Sequence, residues 1–285
     1  MIKLIAIDLD DTLLNKKKEI SSRNVSAINN AVTNNVKIVL ATGRPYFRVK
    51  PILEKLNLLD DNQVVITLNG GYICNAKNNK TVYDKMNDNY EDFEEMSFDE
   101  KVDSIMKEFE RVNENERTHT VAKSNELIPE GTEKLEEKIK ELPVYDGINF
   151  IFKSNDELKQ LSYAHKIIVA SSADNITKHK NYIVDKLNDY TVVQSTPNFL
   201  EVLPNNTTKG IGLQEIANIF NYSKDEIMAI GDAENDISML EFAKYKVAMK
   251  NANDSVKKIA NFITKSCEED GVAFAIEKVL NIANN

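Results

Sequence analysis

Short, nearly continuous apolar segments recur along the chain and predict buried β-strands. Leu4–Leu9 (LIAIDL), Val36–Ala41 and Val64–Leu68 are such segments, and Glu226–Ile230 repeats the pattern late in the chain. Between the first two segments, apolar residues from Val25 to Val32 follow helical spacing. Strands that alternate with helices indicate βαβ units and a doubly wound parallel sheet.

A second α/β segment interrupts this pattern in the middle of the chain. Strands are predicted at Asn149–Phe152, Lys166–Ala170 and Thr191–Gln194, with helical patterns between them. We therefore expect an α/β fold with a Rossmann-like doubly wound core and an inserted α/β cap. The predicted core comprises residues 1–84 and 195–285, and the predicted cap comprises residues 85–194.

Composition and charge narrow the class of function. The 285 residues include 36 Lys and Arg against 45 Asp and Glu, a formal net charge of −9. A general nucleic-acid binder would carry a basic patch, and no segment approaches the ~18 apolar residues of a membrane span. Neither nucleic acid nor membrane is therefore expected as a partner. Asp8 comes too early for a signal peptide, and Cys74 and Cys267 are too few for a disulfide framework, so we expect a cytoplasmic protein.

Two carboxylates stand where the first predicted strand ends. Asp8 and Asp10 lie in the segment DLDDTLL, and residues i and i+2 of a strand point to the same face. Doubly wound sheets bind their ligands at the carboxyl ends of the strands. Two acids on an apolar strand are costly unless they are paired or bind a metal. The pair therefore indicates a site at this edge of the sheet.

Three further segments bring polar side chains to the same predicted edge. Thr42 follows the second strand, and Lys209 stands at the start of a helical pattern in TTKG. Asp232 and Asp236 come directly after another buried strand, in GDAEND. Each residue alone has a structural explanation as a cap or a surface side chain. Their joint occurrence in this order does not.

These motifs identify the chain as similar to the haloacid dehalogenase superfamily. DLDDTLL, ATGR, TTKG and GDAENDISML match its four motifs in order, and the resemblance continues through LNGGYI and TPNFLEVLP. Within the superfamily the chain resembles the Cof-type hydrolases of subfamily IIB, and most closely the bacterial sugar-phosphate phosphatases. The resemblance implies an enzyme that hydrolyses phosphate monoesters of small metabolites with Mg²⁺ as cofactor.

The resemblance also implies roles for the motif residues. Asp8 would attack phosphorus to form a phosphoaspartyl intermediate, and Asp10 would act as general acid and then as general base. Thr42 would bind a phosphoryl oxygen, and Lys209 would offset the charge of Asp8 and the phosphate. Asp8, the backbone carbonyl of Asp10 and Asp232 would hold Mg²⁺, with Asp236 in support. The expected phosphate-binding residues are Thr42, Gly43, Arg44, Asn69, Gly70, Lys209 and Asn235.

The presence of Asp10 favours a phosphatase over a dehalogenase, because halide leaves without a proton and an alcohol does not. A phosphohexomutase of the same superfamily stays open as an alternative, although its cap should carry a basic second phosphate site and this cap is acidic. A non-catalytic regulatory module is the third hypothesis. Loss of catalysis would normally remove a motif residue, and none is missing. The expected partner is a small phosphorylated metabolite, and both a monomer and a homodimer fit the sequence.

Overall fold

The computed structural model describes residues 1–84, 110–111, 118–121, 149–152, 162–163, 166–170, 173–188, 190–196 and 199–280. The chain divides into two compact units. The core unit contains Met1–Asp88 and Asn206–Asn285, and the second unit contains Asn89–Asn205. The second unit thus extends beyond residue 194, where we expected it to end. The reason is that a strand at Phe199–Leu203 belongs to the sheet of that unit.

Regular elements account for most of the described residues. The strands are β1 (Leu4–Asp8), β2 (Lys37–Ala41), β3 (Val64–Thr67), β4 (Tyr72–Asn75), β5 (Thr81–Asp84), β6 (Glu110–Arg111), β7 (Thr118–Val121), β8 (Asn149–Phe152), β9 (Ser162–Tyr163), β10 (Ile167–Ala170), β11 (Thr191–Thr196), β12 (Phe199–Leu203), β13 (Ile227–Gly231), β14 (Tyr245–Ala248) and β15 (Phe262–Ile263). The α-helices are α1 (Ser22–Thr33), α2 (Tyr46–Lys55), α3 (Ala173–Lys186), α4 (Lys209–Ile219), α5 (Ile237–Phe242), α6 (Asp254–Ile259) and α7 (Gly271–Leu280).

An eight-stranded sheet forms the centre of the core unit. Its strand order is β15-β14-β13-β1-β2-β3-β4-β5. The strands from β15 to β3 are parallel, and β4 and β5 add an antiparallel edge. This arrangement confirms the expected doubly wound α/β fold. Its central strands read as apolar runs because the sheet is covered on both faces, and β1 and β13 are buried at every position.

Two helices of the core unit begin at polar caps that the sequence supplies. Ser21 accepts the backbone N–H of Asn24 at the start of α1, at 3.1 Å. Thr208 accepts the N–H of Ile211 at the start of α4, at 3.2 Å. The cap at Thr208 starts α4 at the motif lysine, Lys209. The first turn of this helix therefore carries a predicted site residue.

The second unit contains a small antiparallel sheet in its described part. Strands β10, β12 and β11 pair in that order, and Leu200 and Val202 of β12 pack with Ile176 and Ile183 of α3. All three strands expected for the inserted segment are present in this unit, as β8, β10 and β11.

Candidate active site

The predicted site residues of the core unit meet where the central strands end. Asp8 is the last residue of β1, and its neighbour across the sheet is Ala41, the last residue of β2. On the other side, β13 pairs with β1 through Ile7 and Ile230 and ends at Gly231, just before Asp232. Parallel strands therefore bring three sequence segments to one edge of the sheet.

Lys209 is the buried cation of this site. Its side chain is 0% exposed, and Nζ donates to Oδ1 of Asp8 and to Oδ1 of Asp236, both at 2.6 Å. Burial lowers the pKa of Lys209, but the Asp236 and Asp8 carboxylates outweigh burial and raise that pKa above its ordinary value. The ammonium is therefore a permanent charge that binds the proposed nucleophile.

Asp236 has both carboxylate oxygens engaged by the protein. Oδ1 accepts from Lys209, and Oδ2 accepts the backbone N–H groups of Asp232 and Ala233 at 2.9 and 3.0 Å. Gly231 makes this packing possible, because a Cβ there would lie 2.5 Å from Cβ of Asp236. Asp236 thus anchors the loop that carries Asp232.

Asp8, Asp232 and Asp236 form an acidic cluster whose ligand oxygens lie within 4.8 Å of one another. Burial and the charge of Asp236 raise the pKa of Asp8 well above its ordinary value. Burial and Asp236 also raise the pKa of Asp232 to about 6, although a hydrogen bond from Thr12 at 2.8 Å opposes this. A bound divalent cation would relieve the excess negative charge, and carboxylate oxygens are the ligands that hard cations prefer.

The oxygen atoms available to such a cation can be identified. Oδ1 of Asp8 accepts from Lys209, and Oδ1 of Asp232 accepts from Thr12. Among the described residues, no donor is hydrogen-bonded to Oδ2 of either carboxylate. These two oxygens remain available as metal ligands, whereas both oxygens of Asp236 already accept hydrogen bonds within the protein. The residues present therefore fit a metal site with Asp8 and Asp232 as side-chain ligands.

Asp10 follows Asp8 by two residues in the sequence and has different partners. Arg44 donates to both of its oxygens, from Nε at 2.8 Å and from Nη2 at 2.5 Å, and Lys18 Nζ donates to Oδ1 at 2.9 Å. Burial raises the pKa of Asp10, but these hydrogen bonds and charges outweigh burial and lower it below its ordinary value. The two motif carboxylates of one strand end are therefore in opposite electrostatic environments.

The expected phosphate-binding residues form a second group of contacts. Thr42 Oγ1 accepts the backbone N–H of Arg44 at 3.1 Å, and the Thr42 carbonyl accepts the N–H of Asn69 at 2.9 Å. Asn235 donates to Oδ1 of Asn69 at 3.1 Å, and a Cβ on Gly43 would lie 3.1 Å from that same amide. The structure thus connects the loops that follow β2, β3 and β13 through the backbone and the side chain of Asn69.

The turn that carries Asn69 has an unusual backbone. Leu68, Asn69 and Gly70 have φ values of 51°, 56° and 100°, and an aliphatic residue such as Leu rarely adopts a positive φ. Gly70 is required here, because a Cβ would collide with the carbonyl oxygen of Thr208. Strained turns of this kind cluster at functional sites, where the surrounding contacts hold them.

Three contacts of the site were not predicted from the sequence. Thr12 donates to Asp232, Lys18 donates to Asp10, and Asn251 Nδ2 donates to the carbonyl of Asp11 at 2.7 Å. Asp11 has a φ of 59°, so the Asn251 amide supports a left-handed residue within the DLDDTLL segment. Thr12 could have been found as the hydroxyl of the motif itself. Lys18 and Asn251 have no sequence signal of their own.

A family profile described as haloacid dehalogenase-like hydrolase matches residues 5–276. The chain belongs to this family. It is 32% identical over 291 residues to the "Putative phosphatase YxeH" of Bacillus subtilis (strain 168), covering 98% of this chain and 99% of the relative. It is 30% identical over 305 residues to 5-amino-6-(5-phospho-D-ribitylamino)uracil phosphatase YwtE of the same organism, covering 98% and 99%.

A solved structure agrees with these relatives. The HAD subclass IIB sugar phosphatase BT4131 is 25% identical to this chain, with a TM-score of 0.73 and coverage of 99% of this chain and 100% of that one. The expected resemblance to this superfamily is confirmed, and the chain is a phosphatase of the haloacid dehalogenase type. In the part of the chain that the structure describes, no helix is long and apolar enough to cross a membrane.

Proposed function

We propose that this haloacid dehalogenase-like hydrolase is a Mg²⁺-dependent phosphatase of small phosphorylated metabolites, and that it works through a phosphoaspartyl intermediate. The proposal is carried by one observation. A fully buried ammonium, Lys209, bridges Asp8 and Asp236 at 2.6 Å, beside a third carboxylate, Asp232. Such an arrangement is expensive for folding and is suited to the transfer of a highly charged group.

In the first proposed step, a carboxylate oxygen of Asp8 forms a bond to phosphorus while the bond from phosphorus to the leaving oxygen breaks. Asp10 in its protonated form gives its proton to that leaving oxygen, so the product leaves as a neutral alcohol. Asp10 is two residues from Asp8, beyond the end of the same strand. The products of this step are the free alcohol, a phosphorylated Asp8 and an ionised Asp10.

In the second step, Asp10 takes a proton from a water molecule as the water oxygen attacks phosphorus. The bond between phosphorus and Asp8 then breaks, which releases inorganic phosphate and returns both carboxyl groups to their starting state. The Lys209 ammonium favours the ionised form of Asp8 that the first step requires. Thr42 would hydrogen-bond a phosphoryl oxygen at the same strand edge.

The remaining phosphate contacts are proposed at the loops that Asn69 connects. Gly43, Arg44, Gly70 and Asn235 would line this pocket together with Asn69. Arg44 is bound to Asp10 through two hydrogen bonds, and its planar guanidinium is suited to bind a phosphoryl group in the same bidentate way. The left-handed turn at Leu68–Gly70 supports the proposal, because such strain persists where function requires a fixed geometry.

Mg²⁺ is the proposed metal. Asp8, Asp232 and the backbone carbonyl of Asp10 would hold it, and Asp236 would support the site by fixing Lys209 and the Asp232 loop. When bound, Mg²⁺ would neutralise charge on the phosphoryl group and orient it. The oxygen-only donor set and the excess negative charge of the cluster support this choice over a softer metal.

Sugar phosphates or similar phosphate monoesters are the proposed substrates. BT4131 is named a sugar phosphatase, and YwtE is named for a phosphoribityl compound. Both names refer to phosphate carried on a sugar or a sugar alcohol. A leaving alcohol of this kind needs a proton, which agrees with the role proposed for Asp10.

The test is phosphate release from a panel of sugar phosphates and other monoesters in the presence of Mg²⁺. Asp8→Asn serves as the matched blank, because the amide has nearly the shape of the carboxylate and cannot form the intermediate. We expect release by the wild type and none by the variant. Release by Asp8→Asn at the wild-type rate would overturn the mechanism, and silence of the wild type across the panel would overturn the function.

A further inference from the structure

The Asp10 carboxylate is held by two cations from different parts of the core unit. Arg44 contacts both of its oxygens, and Lys18 Nζ lies 2.9 Å from Oδ1. The Asp10 side chain is 41% exposed, so packing alone does not fix the orientation of its carboxyl group. The two ion pairs are therefore the contacts that define where this group points.

The backbone of Lys18 is preorganised for this contact. Lys18 has a φ of 61°, a left-handed conformation, and its N–H donates to the Asn15 carbonyl at 2.8 Å. The Asn15 side chain accepts the N–H groups of Lys17 and Glu19 at 3.0 and 2.9 Å. A tight turn thus directs the third lysine of the run back toward the end of β1.

The neighbouring lysines of the same run behave differently. Lys16 is anchored through its backbone N–H, which donates to Glu268 at 2.8 Å. Among the described residues, neither the Lys16 nor the Lys17 ammonium forms an ion pair. Three consecutive residues therefore carry the same charge, and only Lys18 of the three brings that charge to Asp10. If the lysine run served only to attract anionic substrates, no single lysine would need to contact Asp10.

We infer that Lys18 is a positioning residue for Asp10: it holds the carboxyl group in the orientation from which it passes a proton to the leaving oxygen, and it stabilises the carboxylate that this transfer leaves. The inference rests on the proposed function, since it assumes that Asp10 is the general acid. Proton transfer depends on hydrogen-bond geometry, and small displacements of a catalytic group cost large factors in rate. The importance of Lys18 should therefore increase with the difficulty of protonating the leaving group.

Two substrates of nearly the same shape test this dependence. Phenyl phosphate has a poor leaving group that needs a proton, whereas 4-nitrophenyl phosphate has a good one that does not. The quantity to measure is kcat/KM, because it reports the steps up to release of the phenol. Lys18→Met removes the contact, Lys17→Met removes an equal charge one residue away, and Lys18→Arg restores the charge and the donors.

We expect Lys18→Met to lose about tenfold in kcat/KM on phenyl phosphate and about twofold on 4-nitrophenyl phosphate, a fraction of what a complete general acid contributes. The kcat/KM of Lys17→Met should stay within about twofold of the wild-type value on both substrates. Lys18→Arg should recover most of the loss, because arginine restores the positive charge and the hydrogen-bond donors. Equal losses on both substrates, or no loss on either, would overturn the inference.

This outcome can be separated from a failure of the proposed function. If the wild type releases phosphate, Asp8→Asn does not, and Lys18→Met matches Lys17→Met, the phosphatase mechanism stands and only the role of Lys18 fails. If Asp8→Asn is as active as the wild type, the mechanism itself fails. Thermal unfolding of each variant, followed by circular dichroism, checks that all four proteins are folded.

Discussion

Replacing the proposed nucleophile should abolish turnover and at the same time stabilise the metal-free protein. Asp8→Asn removes one of three clustered carboxylates, two of which share the Lys209 ammonium. At an effective dielectric constant of about 20, the 2.6 Å pair with Lys209 is worth roughly 6 kcal/mol, and each repulsion within 4.8 Å costs roughly 3.5 kcal/mol. The repulsions of Asp8 from Asp232 and Asp236 together are therefore about as large as its attraction to Lys209. The cost of burying the Asp8 charge adds to these repulsions.

The asparagine keeps the contacts that are useful for stability. Its amide oxygen can still accept from Lys209, and its amide N–H groups face the remaining carboxylates. We expect the free energy of unfolding to rise by about 1–2 kcal/mol, which corresponds to about 3–6 °C in Tm for a unit of this size. The measurement is thermal unfolding at pH 7 in the presence of a chelator, so that no divalent cation compensates the cluster.

The pH dependence of stability is a second test of whether Asp8→Asn stabilises the metal-free protein. The folded-state pKa of Asp8 lies well above its ordinary value of 3.8, so the folded protein binds the proton more tightly than the unfolded chain does. Stability from this group is present below pH ~4 and is lost as the pH rises through the folded-state pKa. The advantage of Asp8→Asn should therefore be absent below pH ~4 and grow above it.

A matched control and a refuting result complete the experiment. Asp225→Asn removes a carboxylate that is 67% exposed and 3.9 Å from its lysine partner, and it should leave Tm unchanged because exposed pairs contribute little. Lys209→Met should lower the free energy of unfolding by about 3–5 kcal/mol, since it leaves buried carboxylates without a cation. A metal-free Asp8→Asn protein that melts below the wild type would refute the electrostatic reasoning.

Three other predictions concern the chemistry and the site turn. Asp10→Asn should lower kcat/KM by about 10²–10⁴ on phenyl phosphate and much less on 4-nitrophenyl phosphate, as loss of a general acid requires; equal losses would contradict that role. Chelation should abolish phosphate release, and Mg²⁺ should restore it better than Ca²⁺, which prefers more ligands at longer distances; equal rescue would argue against Mg²⁺. Gly70→Ala should cost about 1–3 kcal/mol in the free energy of unfolding, because φ is 100° and a Cβ meets the Thr208 carbonyl; an unchanged Tm would show that the turn can relax.

The core fold was predictable because its strands are buried on both faces. A parallel strand with helices on either side has no polar face, so it leaves an uninterrupted apolar run in the sequence. Leu4–Leu9, Val36–Ala41 and Val64–Leu68 correspond to β1, β2 and β3 within one or two residues. The pattern also placed Asp8 near the end of the first strand, and in the structure Asp8 is the last residue of β1.

The boundary of the second unit was not predictable in the same way. Phe199–Leu203 is as apolar as a core strand, and its sequence does not say which sheet it joins. Its antiparallel pairing with β10 and β11 assigns it to the second unit. Strand pairing depends on partners that are distant in sequence, and such partners leave no local periodicity.

The amino-acid sequence by itself was sufficient to propose which groups carry the chemistry of this protein, because a motif preserves residue type and spacing. Only the tertiary structure decided how those groups share their charges. Asp236 uses both oxygens within the protein, Asp10 is bound by Arg44, and one lysine of a run of three reaches Asp10. These choices depend on the angles of turns and on distances of a few ångströms between segments. An ion pair forms or fails over such distances, and a linear pattern of residues does not record them.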